Sequence, residues 1–123
     1  MTGEQLYERA AAAASRAYAP YSDYRVGAAV LTRDGHVFEG VNVENAAYPL
    51  GVCAEKTAIA KAVAEGYRPG DVEAIGISAS PCGGCRQWLW EFRLDAVTFR
   101  DREGAILTFT PAELLPHAWD FDT

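Results

Sequence analysis

Two short segments carry residues able to do chemistry together: Cys53-Ala54-Glu55 and Pro81-Cys82-Gly83-Gly84-Cys85. The three cysteines, an odd number in uneven spacing, do not read as a disulfide framework; a C-x-x-C pair with a lone upstream Cys favours metal or redox chemistry. Each segment stands where a helix is predicted to begin. On a regular helix Cys53 and Glu55 point roughly 200° apart. They can share a site only if it lies off the helix end, where the capping residue is not yet helical. Cys82 and Cys85, three apart, can face one point. Two helix N-termini would then converge on three thiolates, and their free N–H groups and dipoles favour that negative charge.

Three thiolates on a divalent cation leave one net negative charge, poor for a Lewis acid. Lys56 follows Glu55 and Arg86 follows Cys85; both are expected to offset that charge by donating to the sulfurs. Three ligands leave a fourth position for water, whose pKa zinc lowers toward neutrality, with Glu55 placed to carry protons. Two plainer readings stand beside this one. A closed structural zinc site needs a fourth ligand, for which only His36 and His117 are available. Strand, C-x-x-C, helix also describes a thioredoxin-like dithiol.

The elements that must position these residues follow from pattern. Thr2 and Gln5 form a capping box opening a helix from about Gly3 to Tyr18, with Leu6, Ala10, Ala13, Ala14 and Ala17 at helical spacing. Strands are predicted over Val26–Thr32 and His36–Val41, joined by Arg33-Asp34-Gly35, a hairpin signal. Asn42–Val52 reads as a surface loop, and Cys53–Glu65 as a helix closed by Gly66. A buried strand over Val72–Ser80 precedes a helix from about Cys85 to Phe92. Ala96–Arg100 and Ala105–Thr110 are short strands. Thr110-Pro111-Ala112-Glu113 caps a last short helix. Strand, helix, strand over 72–100 implies a parallel pair. The four-residue link between the last two strands demands an antiparallel hairpin. The expected architecture is α/β: a five-stranded mixed sheet flanked by helices, in one domain over residues 1–123.

Composition narrows the partners. Eleven Lys+Arg against seventeen Asp+Glu leave a net charge of −6, which disfavours nucleic acid and anionic membranes. The longest uncharged stretch, Ala74–Cys85, is 12 residues, short of the roughly 20 a membrane span needs. No apolar leader is visible in the first residues, so the chain reads as cytoplasmic.

Spacing alone yields a catalytic zinc hydrolase; P-C-x-x-C with an upstream non-ligand Glu matches the zinc deaminases. In four segments the chain resembles the small homotetrameric cytidine deaminases. They are Pro20-Tyr21-Ser22-Asp23-Tyr24-Arg25-Val26-Gly27-Ala28-Ala29, Asn42-Val43-Glu44-Asn45-Ala46, Cys53 to Ile59, and Ser80 to Gln87. The resemblance implies a three-layer cytidine-deaminase-like fold with one zinc ion per subunit on Cys53, Cys82 and Cys85, and Glu55 as proton shuttle. It further implies that Asn42 and Glu44 hold ribose hydroxyls. The backbone at Ala54 and Ser80 would read the pyrimidine edge and Tyr24 would pack on the base. Trp119 would reach a neighbouring subunit's site in a homotetramer with shared active sites. Tyr24 replaces the usual Phe, Lys56 the usual Arg, Ala47-Tyr48-Pro49-Leu50-Gly51 a more typical S-Y-G-L-T, and His117-Ala118-Trp119 a G-A-F. Lys56 aside, these changes ring the base pocket and the subunit contacts rather than the metal. The implied substrates are cytidine and deoxycytidine, with another aminopyrimidine nucleoside such as blasticidin S as the alternative.

Overall fold

The computed structural model describes residues 1–121; Asp122 and Thr123, part of the expected domain, lie outside the described residues. Nine helices and strands follow in the order α1 (Gly3–Ala13), β1 (Gly27–Thr32), β2 (Val37–Val41), α2 (Ala54–Ala64), β3 (Val72–Ile77), α3 (Gly83–Glu91), β4 (Ala96–Arg100), β5 (Ile106–Phe109) and α4 (Pro111–Leu114). One sheet holds all five strands in the order β2-β1-β3-β4-β5. β3 and β4 are parallel and every other pair is antiparallel, including the β4–β5 hairpin.

Strand alternation sorts the core into two layers. Ala28 and Val30 of β1 join Ile75, Ile77, Val97 and Phe99 against Ala58 and Ile59 of α2, Leu89 of α3 and Leu114 of α4. Ala29 and Leu31, pointing the other way, pack on Leu6 and Ala10 of α1. The sheet is therefore sandwiched, with α1 on one face and α2, α3 and α4 on the other.

Pairing also fixes which chain segments share a rim. Gly27 opposes Val41, and Ala28 opposes Ile77, so the entry to β1 and the exits of β2 and β3 lie at one end of the sheet. Residues 20–26, 42–53 and 78–85 all emerge there. Clustering site segments beyond strand ends is the usual solution of open α/β sheets.

Several boundaries differ from expectation: β3 ends at Ile77 rather than Ser80 and β5 spans only Ile106–Phe109. α1 stops at Ala13, and a short 3-10 turn over Ala14–Arg16 follows, because Tyr18 is drawn off to pair with Val43. α3 begins at Gly83 with Cys82 as its cap, two residues earlier than the poor helix formers Gly83 and Gly84 suggest. The 42–52 loop is partly ordered by a Val43–Val52 bridge and a 3-10 turn over Tyr48–Leu50.

Candidate active site

Cys53 and Cys82 occupy equivalent places: each is the extended residue capping its helix, α2 or α3. Cys85 sits in the first turn of α3, fully buried, and its N–H donates to the Cys82 sulfur at 3.5 Å. The three sulfurs lie within 4.8 Å of one another, and those of Cys53 and Cys82 are 3.9 Å apart. Thiolates about 2.3 Å from a tetrahedral zinc stand roughly 3.8 Å apart, so the spacing fits that ion. His36 and His117 are outside this cluster, which among the described residues offers three ligand atoms.

Glu55, in the first turn of α2, is only 3% exposed. Desolvation lifts its carboxyl above the ordinary glutamate range. Burial also pushes the Cys85 thiol far up, helped by the negative charges of Glu55 and Cys53. Cys82 is desolvated too, yet the N–H and thiol of Cys85 draw it below the ordinary value. A divalent cation is the charge that this donor set lacks.

The two basic neighbours do different things. A Cβ placed on Gly84 would be 3.8 Å from Lys56 Nζ and 4.0 Å from Cys82 Sγ, so the ammonium and that sulfur both approach Gly84, with the ammonium 6.0 Å from the Trp88 ring centre. Arg86, expected to donate to sulfur, spends its hydrogen bonds on Pro81 O, Leu114 O and Ser80 Oγ instead. Two carbonyls and a hydroxyl suit the planar fork of a guanidinium.

Tyr24, Asn42 and Glu44 lie in the segments that emerge at the same rim. Asn42 accepts from Val26 N at 2.8 Å and donates to Tyr24 O at 2.8 Å. Glu44 accepts from Tyr21 N, Ser22 N and the Ser22 hydroxyl; despite some desolvation, the hydroxyl foremost and then the two amides hold its pKa down. Ser22 also takes the Tyr24 N–H at 3.0 Å, leaving the Tyr24 ring 64% exposed. Tyr21, Ser22, Glu44, Asn45, Tyr48 and Gly51 line a cavity of about 390 Å³. Ala54 is buried, and its carbonyl accepts from Thr57 Oγ1 at 2.9 Å. Trp119 is 63% exposed, its ring edge-on to Phe121 and its carbonyl held by Gln87.

Sequence reasoning missed Ser22, Thr57 and Gly40. Thr57 Oγ1 accepts from Val41 N and donates toward Val41 O, docking the start of α2 on β2. Gly40 allows that approach, since a Cβ there would fall 2.5 Å from Ala54 O and Thr57 Oγ1. Ser22 had a local signal, a hydroxyl two residues before Tyr24. Thr57 and Gly40 had none.

A three-thiol site beside a buried carboxyl, at two convergent helix starts on an α/β/α sheet, defines a zinc-dependent hydrolase. Residues 1–100 match the family model described as the cytidine and deoxycytidylate deaminase zinc-binding region, and the chain belongs to that family of zinc-binding deaminases. It is 43% identical to a cytidine deaminase of Halalkalibacterium halodurans over 97% of this chain and 95% of that one. With a cytidine deaminase of Sporosarcina psychrophila it shares 41% identity over 97% of this chain and 92% of the relative. The crystal structure of cytidine deaminase from Burkholderia pseudomallei superposes with a TM-score of 0.89 at 44% identity, covering 97% of this chain and all of that one.

Proposed function

We propose that this protein hydrolyses cytidine and deoxycytidine to uridine and deoxyuridine with release of ammonia, serving pyrimidine salvage in the cytoplasm. The observation that carries the reading is the buried Glu55 carboxyl, lifted in pKa by desolvation, beside the three-thiol cluster. Zinc held by Cys53, Cys82 and Cys85 supplies Lewis acidity and a water of lowered pKa. Glu55 would move the protons: it accepts two in turn from the attacking oxygen, passing the first to the ring N3 and the second to the departing amine. The C4–O bond forms, the C4–N4 bond breaks, and one water is consumed for each ammonia released.

Hydrogen-bond capacity supports a nucleoside as substrate. Asn42, with one N–H spent on Tyr24 O, keeps its second for a ligand. Glu44 gives three of its roughly four lone-pair sites to residues 21 and 22, so one acceptor position is left. One donor and one acceptor satisfy a single sugar hydroxyl, which suits ribose and deoxyribose alike. Tyr24, exposed at that rim, offers its ring to the base, and the backbone at Ala54 and Ser80 its polar edge.

The same reading makes the enzyme a homotetramer with shared sites. A largely apolar groove of about 600 Å³ runs between α2 and α3, past Val63, Trp88 and Phe92, and Tyr48, Leu50 and Trp119 are exposed. Such surface is what a further copy would cover. Among the described residues no helix is long and apolar enough to cross a membrane. Glu55→Gln tests the chemistry: the variant should keep one zinc per chain and its fold while ammonia release from cytidine falls about 10²–10⁴-fold. Substantial remaining turnover would remove Glu55 from the mechanism.

A further inference from the structure

One side chain ties the C-terminal segment to the thiol site. Arg86 lies in the first turn of α3, immediately after Cys85, and its guanidinium spans two distant stretches of chain. Nε donates to Pro81 O at 2.9 Å and Nη2 to Ser80 Oγ at 3.4 Å, both in the loop that presents Cys82. Nη1 donates to Leu114 O at 3.1 Å, at the end of α4. Gln87 adds a second tether five residues further on, from Nε2 to Trp119 O at 3.0 Å. Leu114 is itself packed in the main core. After it the chain leaves the helix at Leu115 and turns through a left-handed His117 toward Trp119.

We propose that Arg86 is a positioning residue whose planar fork, rather than its charge, couples the seat of the C-terminal segment to the hold on the metal. The bonds to Ser80 and Pro81 fix the peptide just before Cys82, whose sulfur caps α3. The loop cannot swing without turning the guanidinium, and a rigid plane passes that turn to Leu114. Coupling of this kind is reciprocal: metal on the thiols steadies the tail, and the seated tail steadies the thiols. The proposal rests on the zinc reading of Cys53, Cys82 and Cys85.

Lysine separates fork from charge, because it keeps the cation and loses the planar donors. Hydrogen exchange followed by mass spectrometry, on the zinc-loaded protein and after chelation, gives the readout. In the wild type, stripping zinc should speed exchange over residues 115–121 by about tenfold, together with residues 80–85. Arg86→Lys and Arg86→Gln should both show the fast tail with zinc still bound. Both should also surrender zinc to a chromogenic chelator about tenfold faster than wild type. A wild-type tail indifferent to zinc overturns the coupling, and so does an Arg86→Lys protein that holds tail and metal like wild type. Should either variant lose protection in β1 and β3, the wild-type comparison alone decides. A wild-type chain that takes up no zinc refutes the metal reading itself, a result distinct from a zinc-loaded chain with an indifferent tail.

Discussion

Gly40 stands where β2 meets the first turn of α2, closer than any side chain allows. A Cβ added there would lie 2.5 Å from Ala54 O and from Thr57 Oγ1, and nearer still to Ala58 N. Ordinary non-bonded separations are about 3.5 Å, so Gly40→Ala must part strand and helix by roughly 1 Å. Two of the three atoms are helix backbone, and the third is a hydroxyl committed to Val41. None yields easily. Overpacking of this kind costs about 1–3 kcal/mol, and weakened Thr57 bonds add about 1 kcal/mol. Urea denaturation should therefore show a loss of about 2–4 kcal/mol. The same displacement carries Cys53 and Glu55 away from Cys82 and Cys85, and a shift of about 1 Å in a catalytic group costs on the order of 10² in turnover. Gly76→Ala is the control, since its Cβ would strike the backbone of Leu6 and Tyr7 in α1, on the opposite face of the sheet. It should destabilise comparably while kcat per folded molecule stays within about threefold of wild type. Wild-type stability in Gly40→Ala, or equal loss of turnover in Gly76→Ala, would refute the reasoning.

Lys56→Ala should lower kcat about tenfold while zinc and KM are nearly unchanged, because the ammonium and the Cys82 sulfur both lie near Gly84; unaltered steady-state kinetics would make it an ordinary helix lysine. Deleting Trp119–Thr123, a stretch that includes the two residues outside the described ones, should raise KM about tenfold or more, as loss of a ring stacked on a base does. Zinc should remain, and sedimentation should show weaker assembly; a tight-binding truncation, or a wild-type monomer, excludes the shared-site model. Glu39 is held below the ordinary glutamate value, chiefly by Arg9 against some desolvation and with help from Arg16. A depressed folded pKa adds stability that is complete above the unfolded value and vanishes as pH falls through the folded one. The stability gap between wild type and Glu39→Gln, about 1 kcal/mol at pH 6 for so exposed a cluster, should therefore close once the pH drops below Glu39's folded pKa; a gap independent of pH rules the ion pairs out.

The elements most legible in the sequence are those whose signals are local. The Thr2–Gln5 and Thr110–Glu113 capping boxes occur as read, and Asp34-Gly35 turns the first hairpin. The three cysteines meet because caps and first turns are local features too. What escaped depends on partners far along the chain. The end of α1 is set by Tyr18 pairing with Val43, and the bonds of Arg86 run to carbonyls at Pro81 and Leu114. Backbone acceptors carry no residue signature, so charge was the visible property of Arg86 and geometry the hidden one. Gly40 and Thr57 are likewise explained only by the approach of α2 to an edge strand.

Residues 20–26, 42–53 and 78–85, which carry the thiols, Asn42 and Glu44 and lead into Glu55, leave the sheet at one end, so the β1–β2 turn lies at the opposite, inert pole. At the inert pole Arg33 bonds Gly70 O and grips Asp95 with two nitrogens, stitching three turns together. Just beyond, a Cβ on Gly35 would meet nothing within 4 Å. Extra chain spliced after Gly35 would extend an open turn, and doubling a loop costs only about 0.6 kcal/mol in closure entropy. Tags, reporters or fused modules spliced at that turn should therefore leave ammonia release from cytidine unchanged.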